Sequence, residues 1–330
     1  MDPLEDALRQ ASAPGSGLVV AVVGPTATGK SDLGVALAHR LGGEVVGADA
    51  SQLYRGMDIG TAKLTRAERE GVPHHQLDVL DVTDEATVAG YQRHARADLA
   101  GVLERGRLPL VVGGSGLYVR ALLDRLEIPP TDPEVRRRLE ERAETEGTPA
   151  LLEQLRDLDP EAAAAIEPNN TRRVVRALEV VELTGRPFSA TLPTRESVRP
   201  TVTVGLRLER DALDRRIERR TRTMFDAGLV EETRALVDLG LREGRTASRA
   251  VGYAQALAVL DGTASVDEAI ADTALRTRRL VRRQESWFGA DPRTTWVDAI
   301  DPHLADRVVE LVEAAAGRLR HGGWDDGPHG

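Results

Sequence analysis

Apolar positions along this chain follow two rhythms. Short unbroken runs at Leu18–Val23 and Leu108–Val112, and a briefer one at Val45-Val46, are bounded by glycine or charge, as strands buried on both faces are. Longer stretches repeat every three to four residues and read as helices: Leu33, Val35, Ala36, Leu37 and Leu41 after the first run, then Thr87–Arg105, closed by Gly106. From Asp132 to Thr184, after Pro129-Pro130 and Asp132-Pro133, only helical patterns occur. Strict alternation returns at Thr201–Leu208 (Val202, Val204, Leu206, Leu208), and Thr294–Val297 is a last candidate strand. The expected fold is α/β, a parallel sheet core built from residues 18–125 and 200–318, with an all-helical insertion at 126–199. Residues 1–17 and 319–330 read as flexible tails.

Composition narrows this picture. The 330 residues are 41% hydrophobic without a long uncharged apolar run, so no membrane span is expected. The absence of cysteine excludes a disulfide framework and a thiolate metal site, and a cytoplasmic address follows. A net charge of −9 argues against a nucleic-acid partner until the cations are placed. Among 44 basic residues only Lys30 and Lys63 are lysine, which makes an ammonium kept at Lys30 informative. The arginines cluster at Arg136–Arg138, at Arg172, Arg173 and Arg176, along Arg215–Arg222, and at Arg276, Arg279 and Arg283 on one helical stripe. A solvated face and a polyphosphate track both account for such clusters.

The first strand runs into Gly24-Pro25-Thr26-Ala27-Thr28-Gly29-Lys30-Ser31 and then a helix, the context in which G-x-x-x-x-G-K-[ST] is a phosphate loop. Its glycines let successive N–H groups converge on phosphate oxygens, the helix N-terminus and Lys30 add positive charge, and the Ser31 hydroxyl is able to ligate Mg²⁺. This P-loop NTPase-like core directs attention to the other strand ends. Asp49 ends the second strand, and metal ligand, base and helix cap are all open for it. Gly113-Gly114-Ser115 ends the next, either to admit a ligand or to let strand and helix pack closely. Adjacent His74 and His75 point opposite ways on a regular strand, which favours a structural role over metal binding.

Together these stretches, with the 58–63 segment DIGTAK, 173–180 RVVRALEV, Val251-Gly252-Tyr253 and Arg282–Trp287, resemble the tRNA dimethylallyltransferase family from about Leu18 to Phe288. The resemblance implies transfer of a dimethylallyl group from its diphosphate to the exocyclic amine of the adenosine 3′ of the anticodon (tRNA position 37), in tRNAs reading codons that begin with U. It implies a diphosphate cradle at Thr26–Ser31 and a general base at Asp49. It also places the Ser115 hydroxyl beside the reaction centre and brings Asp49, Ala50, Ser51 and Gln52 to a flipped base. Family tRNA contacts map onto Ser115, Arg136, Arg172, Arg173, Val174, Val175, Arg176, Arg249, Ala250, Val251, Gly252, Tyr253, Arg282, Arg283, Gln284 and Trp287. Ser115 stands where threonine is usual, Arg282 where lysine is common, and Val175 where some members carry a cation. Charge neutralisation at the leaving diphosphate calls for the loop amides, Lys30, Mg²⁺ and an arginine, for which Arg220 is chosen with Arg216 second. The expected partners are the tRNA anticodon stem-loop and dimethylallyl diphosphate, with no membrane, and the chain is expected to be a monomer. An ATP-dependent phosphotransferase and an RNA-binding protein without turnover are the rival readings.

Overall fold

A computed structural model describes residues 17–189 and 195–320. Six parallel strands form one sheet in the order β3-β2-β4-β1-β5-β6: β1 Val19–Val23, β2 Gly43–Gly47, β3 His74–His75, β4 Leu108–Val112, β5 Thr201–Arg207 and β6 Thr294–Asp298. Strand β1 lies between β4 and β5, with Val22 in register with Val112 on one side and Val204 on the other. Every residue of β1 is buried because helices cover both faces.

The side-chain period of two assigns those faces. Val20 and Val22 join the core made with Leu33, Leu37 and Leu41 of α1 (Lys30–Leu41). Val19, Ala21 and Val23 face α2 (Val88–Glu104) and α3 (Gly116–Leu123), packing with Tyr91, Leu99 and Leu122. Tyr91 and Tyr118 stack there at 4.4 Å between ring centroids, and the Tyr91 hydroxyl donates to the Gly47 carbonyl at 2.9 Å.

Residues 124–196 form a separate compact unit. It contains α4 (Pro133–Glu146), α5 (Thr148–Leu158), α6 (Pro160–Ala165) and α7 (Thr171–Thr184) around Leu139, Leu151, Leu155 and Val174. Asp132 starts α4 by accepting the N–H groups of Glu134 (2.8 Å) and Val135 (3.1 Å), with Pro133 in the first turn.

After β5 the chain continues through α8 (Arg210–Asp226), α9 (Leu229–Asp238), α10 (Tyr253–Leu260) and α11 (Val266–Gly289). Their shared core includes Tyr54, Met57, Leu229 and Tyr253. Ser265 and Glu268 close a reciprocal capping box at the head of α11. Helix α12 (Leu304–Arg320) carries Val308 and Val312 back onto the sheet and runs two residues into the stretch expected as a C-terminal tail. The rest of that tail (321–330) and residues 1–16 of the N-terminal one lie outside the described residues.

The histidine pair makes the short edge strand β3, which sequence patterning did not mark, by pairing with Val45 and Val46. His75 Nε2 lies 2.7 Å from Glu44 Oε2, and Arg105 donates to the same buried carboxylate at 2.7 Å. Hydrogen bonds from Arg105 hold the Glu44 carboxyl below the usual carboxylate range, with a further contribution from His75.

Candidate active site

The turn between β1 and α1 departs from ordinary backbone at three residues, with φ of 124° at Gly24, 66° at Ala27 and 88° at Gly29. Gly24 has a steric reason as well, since a Cβ there would lie 2.6 Å from the Leu206 carbonyl oxygen of β5. Inside the loop the Thr28 hydroxyl and Lys30 Nζ both donate to the Pro25 carbonyl, at 2.8 and 2.6 Å. Gly29 caps α1 without a side chain, so the first N–H groups of the helix open toward the cleft.

That cleft, of about 700 Å³, lies at the carboxyl ends of the strands. The phosphate loop borders it together with Asp49, Gln52, Gly113, Gly114, the 58–63 segment, and Arg216, Arg219 and Arg220 of α8. Burial holds the Lys30 ammonium down to about 8; the Asp49 carboxylate pulls the other way and Arg220 adds to the lowering. Arg220 is likewise lowered by burial and raised by Asp49. Its Nη1 donates to the Thr26 hydroxyl at 3.3 Å. Asp49, Lys30 and Arg220 therefore share one cleft.

The Asp49 carboxylate accepts the Ser51 N–H at 3.0 Å, a local turn that fixes its direction. Ser115 supports the same turn, its Oγ accepting the Ala50 N–H at 3.1 Å while its own N–H donates to Ala48. The two readings of the glycine turn both apply, and at both residues. Gly113 and Gly114 each border the cleft, and each is closely packed: a Cβ would lie 2.2 Å from the Ala48 carbonyl oxygen at the first and 2.4 Å from Gln284 Nε2 at the second. The Gly114 carbonyl accepts from Gln284 Nε2 at 2.9 Å, and Gln284 Oε1 accepts the Thr26 N–H at 2.9 Å.

The segments mapped to tRNA divide by exposure. Arg172, Arg173, Arg249, Arg282, Arg283 and Trp287 are exposed. Val174 and Val175 are core residues of the helical unit, so their side chains are not available to a ligand. Arg136 and Arg176 each bind the fully buried Glu179 at 2.7 Å, and Arg176 also donates to the carbonyls of Pro129 and Pro130. Ala250 and Val251 are half-buried, and Gly252 and Tyr253 are buried. On the α11 stripe Arg276 pairs with Asp272 at 2.6 Å, while Arg279, Arg282 and Arg283 form no ion pair among the described residues. Trp287 packs on Gly116, and the Arg120 guanidinium lies 6.0 Å from its ring centroid.

Two residues were given no role of their own from the sequence. Lys63 is buried, its Nζ donating to Tyr54 O (2.8 Å), Asp58 Oδ1 (2.7 Å) and Asp78 Oδ1 (2.6 Å). Lysine scarcity, which drew attention to Lys30, pointed equally to it. Glu232 of α9 accepts the Ile59 N–H at 2.9 Å and the Tyr253 hydroxyl at 2.6 Å, and no sequence signal marks it.

A divalent ion fits this cleft only as one shared with a substrate. Among the described residues no cluster of three or more His, Cys, Asp or Glu is placed to hold a metal. Ser31 and Asp49 border the cleft with one hydroxyl and one carboxylate, leaving further oxygens to a ligand or water. No helix among the described residues is long and apolar enough to cross a membrane.

Residues 52–291 match the family model described as IPP transferase. The chain is 61% identical over 308 residues to a tRNA dimethylallyltransferase of Kineococcus radiotolerans, covering 90% of this chain and 97% of that protein. It is 60% identical over 304 residues to one of Streptomyces coelicolor, covering 92% and 96%. Among solved structures, the tRNA isopentenylpyrophosphate transferase of Bacillus halodurans superposes with a TM-score of 0.69 at 40% identity, over 92% of this chain and 98% of that one. A eukaryotic dimethylallyltransferase acting on tRNA superposes with a TM-score of 0.77 at 25% identity, over 92% and 80%.

Proposed function

The chain belongs to the IPP transferase family, and from that premise we propose how its cleft works. It is an enzyme that transfers a dimethylallyl group to an adenosine of tRNA. The acceptor atom is the exocyclic amine of the adenosine 3′ of the anticodon, in tRNAs that read codons beginning with U. The donor is dimethylallyl diphosphate. The enzyme acts as a monomer in the cytoplasm.

In the transfer, the bond between C1 of the allyl group and its diphosphate oxygen breaks as the amine nitrogen forms a bond to C1. Negative charge grows on the departing diphosphate. It is met by the helix-start amides, Lys30 and Arg220, fixed charges and dipoles in a partly dry cleft. The Ser31 hydroxyl would be a ligand for Mg²⁺, which would supply further charge neutralisation. The nitrogen becomes acidic only once alkylated, and Asp49 then takes its proton. Ser115 supports the Asp49 turn through the Ala50 N–H. An adenosine in a loop must leave its stack to reach this depth, a cost of a few kcal/mol that phosphate contacts offset. Arg172, Arg173, Arg249, Arg279, Arg282 and Arg283 are the exposed cations assigned to those contacts, and Trp287 offers a stacking surface.

The observation that supports this reading is that Asp49, Lys30 and Arg220 line one cleft at the strand ends, with Arg220 bonded to Thr26 of the loop. It is tested by incubating unmodified tRNA with the protein, Mg²⁺ and labelled dimethylallyl diphosphate, then digesting the RNA to nucleosides. Label in N6-(dimethylallyl)adenosine is the expected result. ATP turnover without labelled nucleoside would favour the phosphotransferase instead.

A further inference from the structure

Helix α11 turns one polar side chain inward where its neighbours turn out. Arg282 and Arg283 are exposed, but Gln284 is only 7% exposed. Its amide joins two loops of the cleft, accepting the Thr26 N–H and donating to the Gly114 carbonyl, each at 2.9 Å. Both loops carry further machinery. Thr26 receives Arg220 on its hydroxyl, and the Gly114 turn leads to Ser115, which holds the Ala50 N–H one residue from Asp49.

The chemistry of this seat admits few side chains. One side presents an N–H and needs an acceptor; the other presents a carbonyl and needs a donor. A carboxylate would set an oxygen against the Gly114 carbonyl, and a lysine or arginine has nothing to accept the Thr26 N–H. The seat is also tight, since a Cβ on Gly114 would lie 2.4 Å from Gln284 Nε2.

We propose that Gln284 is a positioning residue of the transfer reaction rather than a tRNA contact. It holds the phosphate loop in the shape that meets the donor's diphosphate and ties that loop to the turn beside Asp49. The proposal rests on the transferase reading of the cleft. Its sign is separable from tRNA binding, because the amide is enclosed while the arginines of the same helix are not.

The test compares Gln284→Met, close in volume but unable to make either bond, with the wild type. KM for dimethylallyl diphosphate should rise about tenfold and kcat fall by a similar factor, the loss expected for a buried hydrogen-bonded pair. The tRNA Kd from filter binding should stay within about twofold. Gly114→Ala pushes on the amide from the opposite side, and should give the same donor-side pattern. The double variant should be no worse than the more impaired single one, because both act through one contact. A raised tRNA Kd with unchanged donor KM, wild-type kinetics, or fully additive effects would overturn the proposal. Should Gln284→Met fail to fold, as melting would reveal, Gly114→Ala alone carries the test. Inorganic diphosphate binding by calorimetry needs no turnover and separates this idea from the function it rests on. If the wild type binds diphosphate about tenfold more tightly than Gln284→Met yet modifies no tRNA, the transferase reading fails and the positioning role stands. Equal diphosphate affinities contradict the positioning role.

Discussion

The Tyr253 hydroxyl accepts the Gly60 N–H at 3.2 Å, and its ring lies so near that a Cβ on Gly60 would fall 2.5 Å from Cε2. The same hydroxyl donates to Glu232, which in turn accepts the Ile59 N–H. A tyrosine mapped to tRNA is thus buried beneath the 58–63 wall of the cleft. Gly60→Ala should destabilise the protein by about 1–3 kcal/mol through overpacking against the ring, measured by urea denaturation. Tyr253→Phe should cost about 1 kcal/mol and leave the tRNA Kd unchanged; a large rise in Kd would restore a direct tRNA contact.

Lys63 latches the other end of that wall. Its three donors are all used, and two of the acceptors are carboxylates that would face each other without it. Asp58 and Asp78 are 57% and 39% exposed, so solvent screens their repulsion. Lys63→Met should therefore cost about 1–2 kcal/mol and raise the KM for dimethylallyl diphosphate. Lys63→Arg should not restore either property, because a planar fork does not match three converging acceptors. Denaturation and steady-state kinetics on both variants check this.

The lowered Lys30 sets two pH trends of opposite sign. In the proposed mechanism the ammonium is the form that meets diphosphate, so donor kcat/KM should fall as pH rises through about 8. Stability moves the other way. Between about 8 and the unfolded value of 10.5 the unfolded chain holds more protons at this site, so the Lys30 contribution to stability rises with pH across that window. Below about 8 both states are protonated and the contribution is flat. Chemical denaturation from pH 7 to 10 should show this component in the wild type and lose it in Lys30→Met.

Arg279, Arg282 and Arg283 are exposed without ion pairs among the described residues, unlike Arg276 on the same stripe. Replacing the three with alanine should reduce the salt dependence of tRNA binding by roughly 0.7–0.9 log unit per lost phosphate contact. Replacing Arg276 alone should change it less. Filter binding across a salt series measures both slopes.

Much of the site was legible because its signals are local. The phosphate loop needs glycine, lysine and serine at fixed spacing, and its strand and helix flank it directly. Asp49 and Gly113-Gly114-Ser115 were recognisable as strand ends, though that both glycines pack closely as well as border the cleft depends on contacts with Ala48 and Gln284. The enclosure of Gln284 was not legible for a physical reason: its partner Thr26 is 258 residues away, and neighbouring arginines made the segment look uniformly outward. Tyr253 depends in the same way on a loop 193 residues distant. Val174 and Val175 were readable, since an apolar pair between arginines on a helix marks the inward face; motif resemblance outweighed that pattern.

The central claim is that the Asp49 carboxylate receives the proton of the alkylated adenosine. Single-turnover transfer from labelled dimethylallyl diphosphate, with Asp49→Asn against wild type, tests it most directly when tRNA binding is measured in parallel. A rate lowered by about 10²–10⁴ with tRNA Kd within about twofold is predicted. Transfer at the wild-type rate by Asp49→Asn would contradict the account.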